Sequence, residues 1–355
     1  MNDLSPKERL LRVLSKQTVD RAPVICPGGM MNSATVDVIE GLGLSFPKVH
    51  PDAEAMTRLS SAVEEKTGFE NFGIPYCMTV EAEVLGSEID FGTPVCEPKI
   101  AKERYASAAD VEVRDVKQLV REGRVEAIAR AGQTIAEKNP DVPVIGSLTG
   151  PISTAASIVD PMTFLKELRK DKTNAHRVLD YVTDFLVEYA GVLIESGFPV
   201  ITIADPTATG EILGPKMFGD YAAPYLNRLA DAIHGRGAKA IIHICGRMEA
   251  VKKYLPELHS DAVSTDAMVN LKAIKAEYDG LTVMGNVSTF ALQLQEPEMI
   301  RTLTEKLVAD GIDIISPACG LSTKTPVGNI AAMTEVVKDR STTATHGVRS
   351  TGLVF

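Results

Sequence analysis

The sequence predicts an α/β protein, a (β/α)8 TIM barrel with an N-terminal helical extension. From residue 124 onward, six apolar runs of four or five residues alternate with helix-patterned segments, which is how parallel strands buried on both faces read. Each run stops at a polar or Gly/Pro-containing motif, as barrel strands do where they deliver functional side chains to one mouth. A doubly wound open sheet is the alternative. It is weakened because no early strand is followed by Gly-x-Gly-x-x-Gly and no Gly-Lys-Ser/Thr phosphate loop is present. The length of 355 residues suits a barrel of about 250 residues with extensions.

Taken in order, Ser5-Pro6-Lys7-Glu8 opens a helix with a Ser cap, Pro at the first helical position and Glu at the third. Leu10, Leu11, Val13 and Leu14 then form an apolar stripe that must lie across something. Ala22-Pro23-Val24-Ile25-Cys26 reads as a strand closed by the glycine turn Pro27-Gly28-Gly29. An excursion is expected over 70–120, with 79–86 and 93–98 as a hairpin or edge pair. The later runs, with the motifs that close them, lie within 142–150, 200–206, 240–246, 262–266, 281–287 and 312–320, and helices are expected at 124–138, 161–195, 216–235, 248–257, 270–277 and 297–309. With the strand at 22–26 and one more between 50 and 100 the count reaches eight. One domain is expected over 1–338, and 339–355, low in pattern, is expected to be a flexible tail.

Lys+Arg 37 against Asp+Glu 47 gives a net charge of -10, the wrong sign for gripping phosphate backbones, so a nucleic-acid binder is disfavoured. The apolar runs fall far short of the ~20 residues needed to span a bilayer. The N-terminus has charged residues where a secretory signal needs an apolar run, so a cytoplasmic protein is expected. Five cysteines, at 26, 77, 96, 245 and 319, are too sparse for a disulfide scaffold.

The sharpest constellation is His243-x-Cys245 at one strand end, followed 74 residues later by Cys319 at another. Residues two apart on an extended strand point to the same side. One imidazole and two thiolates converging at a barrel mouth suit a tetrahedral Zn²⁺ with its fourth position open; a core histidine with two buried thiols is the alternative. Two thiolate ligands lower the metal's Lewis acidity toward water while leaving it able to bind a thiol and take its proton. Hydrolysis, which more often uses His and carboxylate ligands, fits less well.

His243-Ile244-Cys245-Gly246, Cys319-Gly320, Pro6-Lys7-Glu8-Arg9, Asp20-Arg21-Ala22-Pro23-Val24 and Cys26-Pro27-Gly28-Gly29-Met30-Met31-Asn32 together resemble the methylcobamide:coenzyme M methyltransferases of the uroporphyrinogen decarboxylase superfamily. The resemblance covers residues 5–338 and implies a (β/α)8 barrel with His243, Cys245 and Cys319 as zinc ligands. It also implies zinc-activated attack of the coenzyme M thiol, or another thiol acceptor, on a methyl group carried by a corrinoid on a small partner protein. Decarboxylases of this superfamily carry an Arg-rich segment after the first strand. Here that segment, Pro27 to Asn32, has no Arg, and Gly28, Gly29 and Met30 could accept a flat, largely apolar corrin ring. A plain glycine turn followed by packing methionines is the competing reading.

Asp205, closing a strand, is a candidate to hydrogen-bond a zinc ligand or the corrinoid, or simply to cap the next turn. Glu211 is a candidate for zinc's open position before a thiol displaces it. Asn286 is a candidate substrate contact, although Asn at a strand-to-helix turn needs no function. Two further readings stay open: a uroporphyrinogen decarboxylase-like enzyme, and a non-catalytic corrinoid- or tetrapyrrole-binding barrel.

Overall fold

A computed structural model describes residues 3–339. The strands are β1 (Phe72–Ile74), a hairpin of β2 (Glu88–Asp90) and β3 (Lys99–Lys102), then β4 (Val144–Thr149), β5 (Val200–Ala204), β6 (Lys239–Ile244), β7 (Ala262–Thr265), β8 (Val283–Val287) and β9 (Ile314–Pro317). One parallel sheet runs β1-β4-β5-β6-β7-β8-β9. Every residue of β4, β5, β7, β8 and β9 is buried, because helices cover the outer face and strands pack against each other across the inner one.

The eighth position is filled by Pro23–Cys26, which is extended but ladder-bonded on one side only. Ile25 N–H donates to Ile315 O at 3.0 Å and Ile315 N–H to Pro23 O at 2.9 Å, a parallel pairing with β9. On the other side the backbone gives one bond to the strand, Glu70 N–H to Val24 O at 2.9 Å, and side chains supply the rest. The Asn71 amide accepts from Cys26 N–H at 2.8 Å and donates to Cys26 O at 2.9 Å. Backbone comes so close here that a Cβ on Gly73 would lie 2.5 Å from Pro27 O. The sheet therefore closes into a barrel of eight positions.

The N-terminal helix Pro6–Leu14 starts as its sequence predicts: Ser5 Oγ accepts from Glu8 N–H. Its buried stripe includes Arg9, which forms a two-pronged pair with Asp20 and reaches Glu70 at 2.8 Å. Glu70 also takes Arg21 at 2.6 Å and the Val24 N–H at 3.0 Å. One buried carboxylate thus ties the extension to the starts of the first two barrel positions.

Some local expectations change. Residues 79–86 do not form a strand: Val80–Val84 is helical and the hairpin lies one step later. The alternation Val80, Ala82, Val84 imitates a strand, but Glu81 turns inward and accepts from Thr149 N–H at 2.8 Å and Thr149 Oγ at 3.1 Å, an anchor that the helical turn supplies. The segment 161–195 divides at Asp171, whose carboxylate caps the helix Lys172–Glu195 by accepting from Asn174 N–H at 3.2 Å. Residues 248–257 contain only the 3-10 turn Lys252–Glu257, with Pro256 inside it. The tail beyond 339 lies outside the described residues.

Replacing Asn71 with Ala leaves the Cys26 N–H and C=O buried without partners, and the expected loss is about 2–5 kcal/mol. Urea unfolding should show a lower midpoint at unchanged slope. An unchanged midpoint would mean that the barrel closes without this amide.

Candidate metal centre at the barrel mouth

β6 and β9 are three steps apart in the sheet order, which in a flat sheet is about 14 Å. Closure brings their ends together. Cys245 and Cys319, just beyond β6 and β9, have their sulfurs 3.3 Å apart, and His243 Nε2 lies 3.1 Å from Cys245 Sγ. All three ligand atoms fall within 4.8 Å of one another. His243 is fully buried, and its Nδ1 meets Ser264 Oγ at 2.9 Å on β7. Nε2 is therefore the nitrogen presented to the thiols, with the ring orientation fixed by Ser264.

The donor set fits a metal. Zn–S bonds of about 2.3 Å at tetrahedral angles place two sulfurs about 3.8 Å apart, so the observed 3.3 Å needs only a small spread. Without a metal the two thiols share protons unequally. The hydrogen bond from Cys245 holds the Cys319 thiol well below its usual range, with His243 adding to the effect, and that same bond together with burial raises Cys245. A divalent cation would remove the need for the remaining proton.

The other sequence candidates separate. Met30 joins the centre: its sulfur is 3.8 Å from Cys245 Sγ. Gly28 and Gly29 serve the turn that carries it, with φ of +102° and +57°. A Cβ on Gly28 would lie 2.7 Å from the Gly73 backbone, and one on Gly29 2.1 Å from Ser147 Oγ. Their lack of side chains thus serves packing against β1 and β4.

Asp205 meets the ligand set only through its backbone N–H, which donates to His243 O at 3.1 Å. Its carboxylate accepts from Ile152 N–H at 3.0 Å, Ser153 N–H at 2.9 Å and Ser153 Oγ at 2.6 Å, holding the start of the helix Pro151–Ile158. Burial pushes its pKa up to about 6. Glu211 is not among the three clustered groups. Its carboxylate rests on Gly246, where a Cβ would meet Oε2 at 2.5 Å, and its Oε1 lies 3.8 Å from Arg247 Nε. Asn286 donates to Asp266 O and Val269 O, both at 2.8 Å, and so braces the loop after β7.

Beside the centre is a cleft of about 460 Å³ whose lining includes Gly29, Met30, Met78, Glu97, Phe290 and Leu321. Its lining has no Lys or Arg.

Residues 5–340 match the uroporphyrinogen decarboxylase (URO-D) family. The chain belongs to that family. Among its URO-D relatives, the methylcobamide:CoM methyltransferase MtbA of Methanosarcina acetivorans is 33% identical over 96% of this chain and 99% of the relative. The methylcobamide:CoM methyltransferase MtaA of Methanosarcina barkeri is 28% identical over 94% and 97%. A solved methyltransferase from Methanosarcina mazei superposes with a TM-score of 0.88 at 28% identity, covering 94% of this chain and 98% of that one. That superposition agrees with the closed barrel of this URO-D member.

Sequence reasoning missed Ser264, although β6 and β7 pair His243 with Ser264 in register; a polar residue within an apolar strand was the available signal. It also missed the buried cluster behind the cleft. There Arg124 donates to Cys77 Sγ at 3.1 Å and Thr79 Oγ at 2.9 Å, and it pairs with Glu83.

Glu81, fully buried, has its pKa pushed up to about 7 by desolvation. A carboxyl with a raised folded pKa binds its proton in the folded state where the unfolded chain has lost it, so its contribution to stability falls as pH rises from about 4.5 to about 7. Glu81→Gln removes that dependence. Wild type should lose up to about 3 kcal/mol relative to the variant across this window, read from unfolding midpoints at pH 5 and pH 7.5. Parallel pH profiles would contradict this assignment.

Proposed function

We propose that the chain transfers a methyl group from a methylated corrinoid, carried by a small corrinoid protein, to the thiol of coenzyme M, with zinc held by His243, Cys245 and Cys319. The observation that carries this reading is the convergence of one imidazole and two thiols at the barrel mouth, next to a cleft lined by Met30, Met78, Phe290 and Leu321. The relatives named methylcobamide:CoM methyltransferases support it. Zinc at such a site supplies the acidity that lets a thiol lose its proton near neutral pH.

The chain's own groups do the rest. Ser264 holds the His243 ring so that Nε2 faces the thiols. Asp205 fixes the start of the helix after β4, and Asn286 fixes the loop after β7, so the walls of the mouth keep their places. Gly28 and Gly29 let the first loop settle on β1 and β4 and set Met30 against Cys245. The apolar wall suits a corrin face, and the exposed Phe290 in its lining suits a protein that presents one. A decarboxylase acting on porphyrinogen carboxylates is disfavoured, since the cleft beside the centre offers no cation to hold them. A reducing cytoplasm keeps the two thiols available. No helix among the described residues is long and apolar enough to cross a membrane.

Zinc-loaded protein mixed with methylcobalamin and coenzyme M should consume the methyl–cobalt absorbance and yield methylated thiol. Metal analysis should find one zinc per chain, lost in Cys245→Ser and Cys319→Ser. Zinc below about a tenth of an equivalent after reconstitution would overturn the mechanism. Ser264→Ala should weaken zinc binding about 10- to 100-fold in a chelator competition, and an unchanged affinity would remove Ser264 from its role.

A further inference from the structure

The ring of residues just past the strand ends is poor in positive charge. Taking the first four residues after each of the eight barrel positions, Arg247 is the single Lys or Arg, while Asp205 and Asp266 supply carboxylates. Arg247 follows Cys245 by two residues, so its Cα lies within about 7 Å of that ligand's Cα. The turn between them is Gly246, in the left-handed region at φ +73°. The Arg247 side chain is 77% exposed and its guanidinium has one ion-pair partner among the described residues, Glu211 at 3.8 Å. Glu211 lies on Gly246, and its Oε2 accepts only a long 3.4 Å hydrogen bond from Arg247 N–H.

We propose that Arg247 is the residue that selects an anionic thiol as methyl acceptor, with Glu211 as the exchangeable group that an incoming anion displaces. This rests on the methyl-transfer reading above. Coenzyme M is a two-carbon thiol ending in a sulfonate. With its sulfur at the metal centre, the sulfonate must lie within a few ångströms of it, in a mouth where Asp205, Asp266, Glu97 and Glu211 are acidic. Arg247 lies outside the Met30 cleft, lining the neighbouring pocket with Met268 and Asn270; it is the one guanidinium of this ring, and a planar fork suits an oxyanion better than a point charge does. Glu211 keeps that cation partly neutralised until the sulfonate arrives. The long contacts between the pair make the exchange inexpensive.

The test is isothermal titration of zinc-loaded protein with 2-mercaptoethanesulfonate and with 2-mercaptoethanol, its uncharged counterpart. In wild type the sulfonate should bind about tenfold tighter than the alcohol, and added salt should shrink that ratio. Arg247→Ala should bring the ratio close to one, Arg247→Lys should restore part of it, and Glu211→Gln should raise it. A ratio that survives Arg247→Ala overturns the proposal. So does an equal weakening of both thiols, which would mark Arg247 as structural. Methyl transfer from methylcobalamin is followed in parallel. If wild type methylates neither thiol, the methyl-transfer reading fails, while the binding ratio still decides whether Arg247 selects the anion.

Discussion

The structure depends on how its first strand is held. Pro23–Cys26 is bonded to β9 through backbone, and to the segment leading into β1 through the Glu70 N–H and the Asn71 side chain, and this seam turns a seven-stranded sheet into a barrel. The seam also places the loop after the first strand beside the loop after β9. A Cβ on Gly320 would lie 2.8 Å from Met30 O, so Met30 and Cys319 arrive at the centre as neighbours. An open sheet would leave the ends of β6 and β9 too far apart to share a metal. Glu70 sets the same seam from the opposite end: two guanidiniums and a backbone N–H converge on it with little exposure to solvent. Such a carboxylate is costly to strip of its partners, because the remaining charges would stay buried.

At the mouth the barrel concentrates groups that would rather be solvated. His243, Asp205 and Glu81 are all buried, and each is tied to a hydroxyl or backbone N–H on an adjacent element: Ser264, Ser153 and Thr149. These ties offset part of the desolvation cost and fix each side chain's direction. The thiols differ, since each has the other as a partner. Two thiolates at 3.3 Å repel strongly where water is scarce. In the metal-free chain they relieve this by retaining a proton, and a cation does so without one.

Much of this was legible in the sequence because strands buried on both faces leave unbroken apolar runs. The six later strands fall where those runs lie, and His243, Cys245 and Cys319 stand at their ends as expected. The first strand was also readable, although its one-sided ladder was not: an apolar run records burial and says nothing about which neighbour supplies the hydrogen bonds. The misreading of 79–86 has the opposite cause. Alternation of Val, Glu, Ala and Glu fits a strand, and the deciding partner, Thr149, lies about seventy residues away. Ser264, Asn71 and Arg247 were invisible for a related reason. Each matters through a neighbour brought close by closure or by a turn, and none carries a local pattern.

The glycine turn after the first strand admits two readings in the sequence, room for a corrin ring and a plain turn. The space a side chain would need at Gly28 or Gly29 is filled by β1 backbone or by Ser147, which favours the turn. The barrel itself requires small residues there, whatever the mouth binds. Within Pro27 to Met30, the side chain that reaches the centre is that of Met30, which lies against Cys245 and lines the cleft. Of this loop it is therefore the residue after the glycines that shapes the approach to the thiols, and a thioether keeps that approach apolar.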